Sequence, residues 1–86
     1  MTVYGVKQET NFKTEEYLLD PLFMNREDAK KFAERYANRF IRVGEHIRTF
    51  DNEYGNFGVI VIAADDSYGA GYERELYTII SLEVVE

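Results

Sequence analysis

Residues 24–41 read MNREDAKKFAERYANRFI. In this stretch the apolar residues recur every three or four positions, which is the spacing of an amphipathic α-helix with one buried side. The residues on that side are Ala29, Phe32, Ala33, Tyr36, Ala37 and Phe40. Asn25 suits the N-cap position, because its side chain can accept a hydrogen bond from the first turn. The small alanines between larger rings would let this helix lie close to a sheet.

The segments on both sides of the helix have the patterns of β-strands. We predict strands at residues 2–8, 15–20, 45–51, 57–64 and 75–85. The first two form a hairpin, and Pro21 interrupts the second because proline has no N–H for a sheet ladder. Residues 57–64, FGVIVIAA, are uncharged, which favours a strand buried on both faces at the centre of the sheet. The predicted fold is therefore α+β: one domain over residues 1–86, in the order ββαβββ, with a mostly antiparallel sheet.

One helix can cover only one face of a five-stranded sheet. In the last strand, Tyr77, Ile79 and Val85 share a face that is too apolar to remain in contact with water. We expect this face to be the one that the helix leaves uncovered. An uncovered apolar face therefore predicts a homodimer, in which two copies pack sheet to sheet or edge to edge.

The net charge of the chain is −6, and it is unevenly distributed. Residues 26–48 have a net charge of +3, whereas residues 49–86 have a net charge of −7. In one interpretation, the helix and the acidic loops attract each other within the molecule. In the other, the charged surface steers a partner. Non-specific binding to duplex nucleic acid is not expected of so acidic a chain.

The composition excludes several chemistries and locations. The chain has no cysteine, which excludes disulfides, thiolate nucleophiles and thiolate metal sites. The N-terminal residues do not have the pattern of a signal peptide, and the longest apolar run, residues 59–64, is too short to span a bilayer. We therefore expect a soluble cytoplasmic protein with no membrane partner.

No pattern in the sequence indicates catalysis or a cofactor. His46 is the single histidine, so no zinc site of the usual kind can form around it. The acidic segments do not keep the ligand register of an EF-hand, and the chain has no nucleophile elbow and no phosphate-binding loop. We predict a non-enzymatic protein with no catalytic residues, no metal and no cofactor.

Two segments, TFDNEYGNFG at 49–58 and DDSYGAGYERE at 65–75, resemble each other and flank the strand at 57–64. Both contain acids, then Tyr-Gly, then another ring. Such segments are turns whose rings cover the ends of the sheet, or they are recognition loops, in which tyrosine offers a large contact area. The second interpretation predicts partner-binding residues at Asp51, Glu53, Tyr54, Asp65, Asp66, Tyr68, Tyr72 and Glu73.

The helix also carries a basic stripe, in which cations recur every four residues. Its members are Lys31, Arg35 and Arg39, and Arg42 extends it. Like charges at this spacing slightly destabilise a helix, so something should offset them. Either Glu27, Glu34 and acids from the strands or loops pair with the stripe, or the stripe contacts an anionic partner, namely nucleic-acid phosphate or an acidic protein patch.

The first 40 residues resemble short uncharacterised proteins of phages and prophages. In those proteins a "Y-x-V" strand precedes a second strand ending in Phe and a helix that begins like "S/N-x-E-D-A-x-x-F-A". The matching residues here are Tyr4, Val6, Phe23, Asn25, Asp28, Ala29, Phe32 and Ala33. The resemblance implies an accessory protein that acts by binding. Small acidic phage proteins of this kind often block host nucleic-acid enzymes or defence systems.

These observations lead to three hypotheses about function. The first is a non-enzymatic accessory protein that binds another protein through the tyrosine loops and the acidic C-terminal half, as an inhibitor. The alternative is a homo-oligomeric structural or small-ligand-binding protein that uses the uncovered sheet face. The third is a nucleic-acid binder that uses the basic stripe.

Overall fold

The computed structural model describes residues 1–10, 16–51, 56–63 and 73–85 of the chain. Within them, five strands form one antiparallel sheet in the order β2-β1-β5-β4-β3, and one helix packs against it. The elements are β1 (Thr2–Thr10), β2 (Glu16–Phe23), α1 (Arg26–Arg39), β3 (His46–Asp51), β4 (Phe57–Ile62) and β5 (Glu73–Glu83). The predicted α+β fold and its ββαβββ order are confirmed.

The helix α1 begins and packs as its sequence predicts. The Asn25 side chain accepts a hydrogen bond of 2.7 Å from the backbone N–H of Glu27. Ala29, Ala33 and Ala37 are completely buried, because an alanine side chain lets the helix axis approach the sheet closely. The prediction that Phe40 lies on the buried stripe is wrong: the helix ends at Arg39, and the Phe40 side chain is half exposed at the C-cap.

The middle of the sheet is β5, and not β4 as the sequence suggested. All six residues of β4 are buried, which confirms the expectation from their uncharged sequence. β5 is central because β4 pairs with one of its sides and β1, from the start of the chain, pairs with the other. The pairing with β1 runs from Thr2 opposite Glu83 to Thr10 opposite Glu75. A long-range pairing of this kind leaves no local pattern in the sequence.

The strand β2 continues through Pro21 to Phe23, so the prediction that this proline ends the strand is wrong. β2 is an edge strand, and an edge strand tolerates a residue without an N–H because one side of it has no neighbouring strand to accept a hydrogen bond. The pairing with β1 shifts here. Tyr4 lies opposite Phe23, whereas Val6 lies opposite Leu19.

The core lies between α1 and one face of the sheet. The alanines of α1 pack against Val6 of β1, Val59 and Val61 of β4, and Tyr77 of β5. The Tyr77 side chain has no exposed surface, and its ring meets the ring of Tyr36 edge to face, with centroids 5.7 Å apart. This face of β5 is therefore the covered one.

Close approach of α1 to the sheet predicts that a larger side chain at Ala33 will not fit. Ala33→Leu should lower the free energy of unfolding by about 1–3 kcal/mol, because overpacking forces side chains from their preferred rotamers. Urea unfolding followed by circular dichroism measures the change. Glu34→Leu, at the next and exposed position, is the control and should change stability by no more than about 0.5 kcal/mol. Equal losses in the two variants would contradict the packing described here.

Candidate functional site

The face of the sheet opposite α1 is apolar and forms the first candidate surface. Side chains alternate between the faces of a strand, so the neighbours of Tyr77 and Ile79 along β5 project away from the helix. We call this surface the open face and define it by Leu18, Leu22, Phe50, Leu76, Ile80 and Leu82. Leu18 is 52% exposed and Leu22 is 46% exposed, although both lie within a strand.

Two strand glycines shape the open face by allowing close approach. A side chain at Gly5 would meet those of Leu18, Leu22 and Ile80. A side chain at Gly58 would collide with the ring of Phe50, which therefore lies directly over the backbone of β4. Glycine inside a strand often marks such an approach, and this is the signal by which the sequence could have identified the open face.

Two ion pairs lie on the open face. Lys7 lies 2.9 Å from the carboxylate of Glu9, and this hydrogen bond raises the pKa of Lys7. Arg48 lies 3.5 Å from the carboxylate of Glu73. Glu16 lies opposite Glu9 on the same face and is in no such pair with another described residue. The face therefore presents apolar side chains, two ion pairs and a further carboxylate.

The prediction that Tyr77, Ile79 and Val85 form the oligomer face is wrong. Tyr77 is part of the buried core, and Ile79 packs against that core. Val85 is 95% exposed and follows the end of β5. Both faces of β5 are apolar, so alternation along this strand could not tell which face the helix covers. The covered face also carries a buried polar cluster at its edge.

This polar cluster joins the end of α1 to β5. The Arg74 guanidinium donates two hydrogen bonds to the Glu45 carboxylate, at 2.7 Å and 2.9 Å, and Glu45 also accepts from the Arg42 backbone N–H at 2.8 Å. Only 4% of the Glu45 side chain is exposed. The hydrogen bonds from Arg74 lower the pKa of Glu45, and the same contact raises the pKa of Arg74.

Tyr77 extends the polar cluster below the helix. Its hydroxyl donates to Glu75 at 2.6 Å and accepts from the Gln8 side chain at 3.2 Å, while Arg74 lies 3.1 Å from Glu75. Burial raises the pKa of the Tyr77 hydroxyl. Every charge of the cluster has a partner of opposite sign, so the cluster is suited to fixing the turn at residues 40–45 against β5. It offers no free group for chemistry.

The second candidate surface lies on α1. A groove with a volume of about 300 Å³ is lined by Phe23, Asp28, Lys31, Phe32 and Arg35. We call it the helix groove. The rings of Phe23 and Phe32 lie 5.3 Å apart and form its apolar wall.

The described residues do not supply the acids that would pair with the basic stripe. Within the described ranges, no carboxylate lies at ion-pair distance from Lys31, Arg35 or Arg39. Glu27 instead pairs with Lys30, at 3.3 Å. Arg39 lies over the ring of Phe40, at 5.8 Å from its centroid. Internal pairing of the stripe with Glu27 and Glu34 is therefore wrong.

The predicted partner-binding residues fall into two groups. Asp51 and Glu73 are described, and they lie at opposite ends of β4: Asp51 is opposite Phe57 and Glu73 is opposite Ile62. Asp51 accepts a hydrogen bond of 3.0 Å from Lys30, which raises the pKa of that lysine. Glu53, Tyr54, Asp65, Asp66, Tyr68 and Tyr72 lie outside the described residues.

No group of three or more metal-binding side chains occurs in the part of the chain that the structure describes. His46 lies on the exposed edge strand β3. Among the same residues, no helix is long and apolar enough to cross a membrane.

Comparison of this chain with models of protein families, with curated proteins and with solved structures finds no match. The open face and the helix groove are therefore the features of the molecule that bear on its function.

Arg74→Gln tests the polar cluster. It should lower the free energy of unfolding at pH 7 by about 3–5 kcal/mol, because it leaves the buried Glu45 carboxylate without its cation. The double variant Glu45→Gln with Arg74→Gln should lose less, since no charge then remains buried alone. Urea unfolding measures both variants. A double variant less stable than Arg74→Gln alone would contradict the pairing.

Glu45 also predicts how stability depends on acid. Its pKa in the folded protein is below the ordinary value of 4.5, so the unfolded chain takes up this proton more readily. The resulting stabilisation is fully present above pH 4.5 and is lost as the pH falls through the lower folded pKa. Urea unfolding, measured from pH 6 to pH 2 at intervals of roughly one pH unit, should therefore show that the free energy of unfolding falls less steeply with acid in Glu45→Gln than in the wild type. The same slope in both proteins would rule out this contribution.

Proposed function

We propose that this protein has a binding role without catalysis, and that the open face is its protein-contact surface. The observation that carries the proposal is the exposure of leucines within a strand of a sheet whose other face packs against the helix. Contiguous apolar surface of this kind is uncommon on monomers and marks interaction sites.

The occupant that we propose for the open face is a second copy of the chain. The charges of the Lys7–Glu9 and Arg48–Glu73 pairs balance and leave Glu16 as the net charge among these residues, so two copies of this face repel each other less than a net charge of −6 per chain would suggest. A two-fold axis would bring the same apolar side chains of both copies together.

The size of the open face indicates a reversible dimer. All residues of β4 are buried, so the contact area comes from β1, β2, β3 and β5. At a spacing of about 4.8 Å and a mean length of about 28 Å, these strands offer roughly 500 Å² per copy. Two copies would bury about 1,000 Å², which is near the lower limit for specific interfaces. The dimer should therefore dissociate on dilution.

Face-to-face packing is favoured over pairing of sheet edges. Pro21 lies in the edge strand β2 and removes one hydrogen-bond donor. The other edge, β3, carries His46, Arg48 and Asp51, and charged edge residues oppose the addition of another strand.

The second candidate is a heterologous partner. The resemblance of the N-terminal half to phage accessory proteins implies a protein that inhibits a host nucleic-acid enzyme or a defence system. The carboxylates of Asp51 and Glu73 support an interaction with a basic partner, because they remain 49% and 58% exposed although each is paired. This candidate uses the acidic C-terminal half and need not use the open face.

Leu18→Glu with Leu22→Glu should abolish the dimer, because the change places charges at the two most exposed apolar positions of the proposed contact. Light scattering across a hundredfold dilution should show the mass of the wild type falling towards that of one chain, and the double variant should have that mass throughout. Met24→Glu with Val43→Glu is the matched control: both residues are exposed outside the open face, and the variant has the same net charge.

A wild type with the mass of one chain at every concentration would refute the dimer. Affinity capture from a bacterial lysate would then test the heterologous partner with the same three proteins. A protein retained by the wild type and the control, and lost by the Leu18 and Leu22 variant, would assign the open face to that partner. Equal recovery with all three would remove the open face from the binding role.

A further inference from the structure

We propose that the helix groove binds an extended acidic peptide segment whose residues alternate between carboxylate and apolar side chains. The groove is lined by Lys31 and Arg35 of α1 and by two aromatic rings. It belongs to the helix layer, whereas the open face lies on the other side of the sheet. The proposal is therefore independent of the dimer.

The first support is that no carboxylate of the described residues pairs with the cations of the groove, although other cations of the protein are paired. Lys30, Arg48 and Arg74 each lie within 3.5 Å of a carboxylate. Lys31 and Arg35 have no such neighbour within the described ranges, and one turn of helix separates them. Their mutual repulsion is relieved when an anion binds between them.

The second support is the apolar wall beside these cations. Phe23 and Phe32 are only partly buried, and their rings lie 5.3 Å apart, in contact with each other. A ligand that carries only charge would leave this wall in water. A ligand with an apolar group next to its anionic group covers the wall and pairs the cations together.

The geometry of an extended peptide fits both sides of the groove. Successive side chains of an extended chain point in opposite directions, so alternating residues reach the cations on one side and the rings on the other. Every second side chain recurs after about 6.7 Å. Lys31 and Arg35 are four residues apart on a helix, which is a rise of about 6 Å.

Charge favours a peptide over a nucleic-acid strand. Asp28 lines the groove beside the cations, and the whole chain has a net charge of −6. A strand with a phosphate at every nucleotide would meet both sources of repulsion. An acidic peptide can place an apolar or neutral residue opposite Asp28.

Fluorescence anisotropy at low salt tests the proposal with a ten-residue labelled peptide of alternating glutamate and leucine. The wild type should bind this probe, and a probe with glutamine in place of glutamate should bind at least about tenfold more weakly, since it loses its charged contacts with Lys31 and Arg35. Lys31→Gln with Arg35→Gln should weaken binding of the acidic probe by a similar factor. Circular dichroism should show this variant folded, and no less stable than the wild type, because it removes a repulsion.

Arg39→Gln with Arg42→Gln is the matched control, because it removes two charges of the same stripe that lie outside the groove. Its affinity for the acidic probe should stay within about twofold of the wild type, since only weak screened attraction is lost. Equal weakening in the two double variants would show general charge attraction and overturn the proposal. No binding of the probe by the wild type would also overturn it, and so would tighter binding of a ten-nucleotide thymidine strand. The Leu18 and Leu22 variant should bind the probe normally, whether or not the open face forms a dimer.

Discussion

The hydrogen bonds between β1 and β5 join the two ends of the chain and place β5 in the middle of the sheet. The ladder runs from Thr2 opposite Glu83 to Thr10 opposite Glu75, and the Val84 N–H continues it to the Met1 carbonyl at 2.8 Å. With β1 and β4 on its two sides, β5 has no free edge. The helix connects the two edge strands and therefore crosses over β5. This crossing decides that Tyr77 is buried.

Tyr77 can be buried although its side chain carries a hydroxyl, because this hydroxyl accepts a hydrogen bond from Gln8 and donates one to Glu75. Arg74 links Glu75 to Glu45, so the same cluster holds the chain after α1 against the sheet. Charges in this position stabilise the fold only as a complete set, because each would be costly if buried alone. One side of the sheet is thus closed by apolar packing and by paired charges. The opposite side carries leucines that no element of the described chain covers.

The two candidate surfaces differ in what they lack. The open face has paired charges and exposed leucines, so it lacks an apolar counterpart. The helix groove has a wall of two rings and two cations, Lys31 and Arg35, with which no described carboxylate pairs, so it suits an anion that has an apolar group beside it. A protein can use both surfaces together, because they lie on opposite sides of the sheet. Such an arrangement would allow a dimer to present two peptide-binding grooves.

The sequence by itself determined the elements whose signals are local. The spacing of the alanines, the Asn25 cap and the uncharged run of β4 gave the helix, its start and a buried strand. The tertiary structure alone decided which strand is central and which face of β5 is covered, since both faces carry large apolar side chains such as Ile79 and Ile80. It also decided that no carboxylate of the described residues pairs with Lys31 or Arg35, because ion pairs depend on distances between elements far apart in the chain. The candidate surfaces follow from those long-range choices, and only folding brings their residues together.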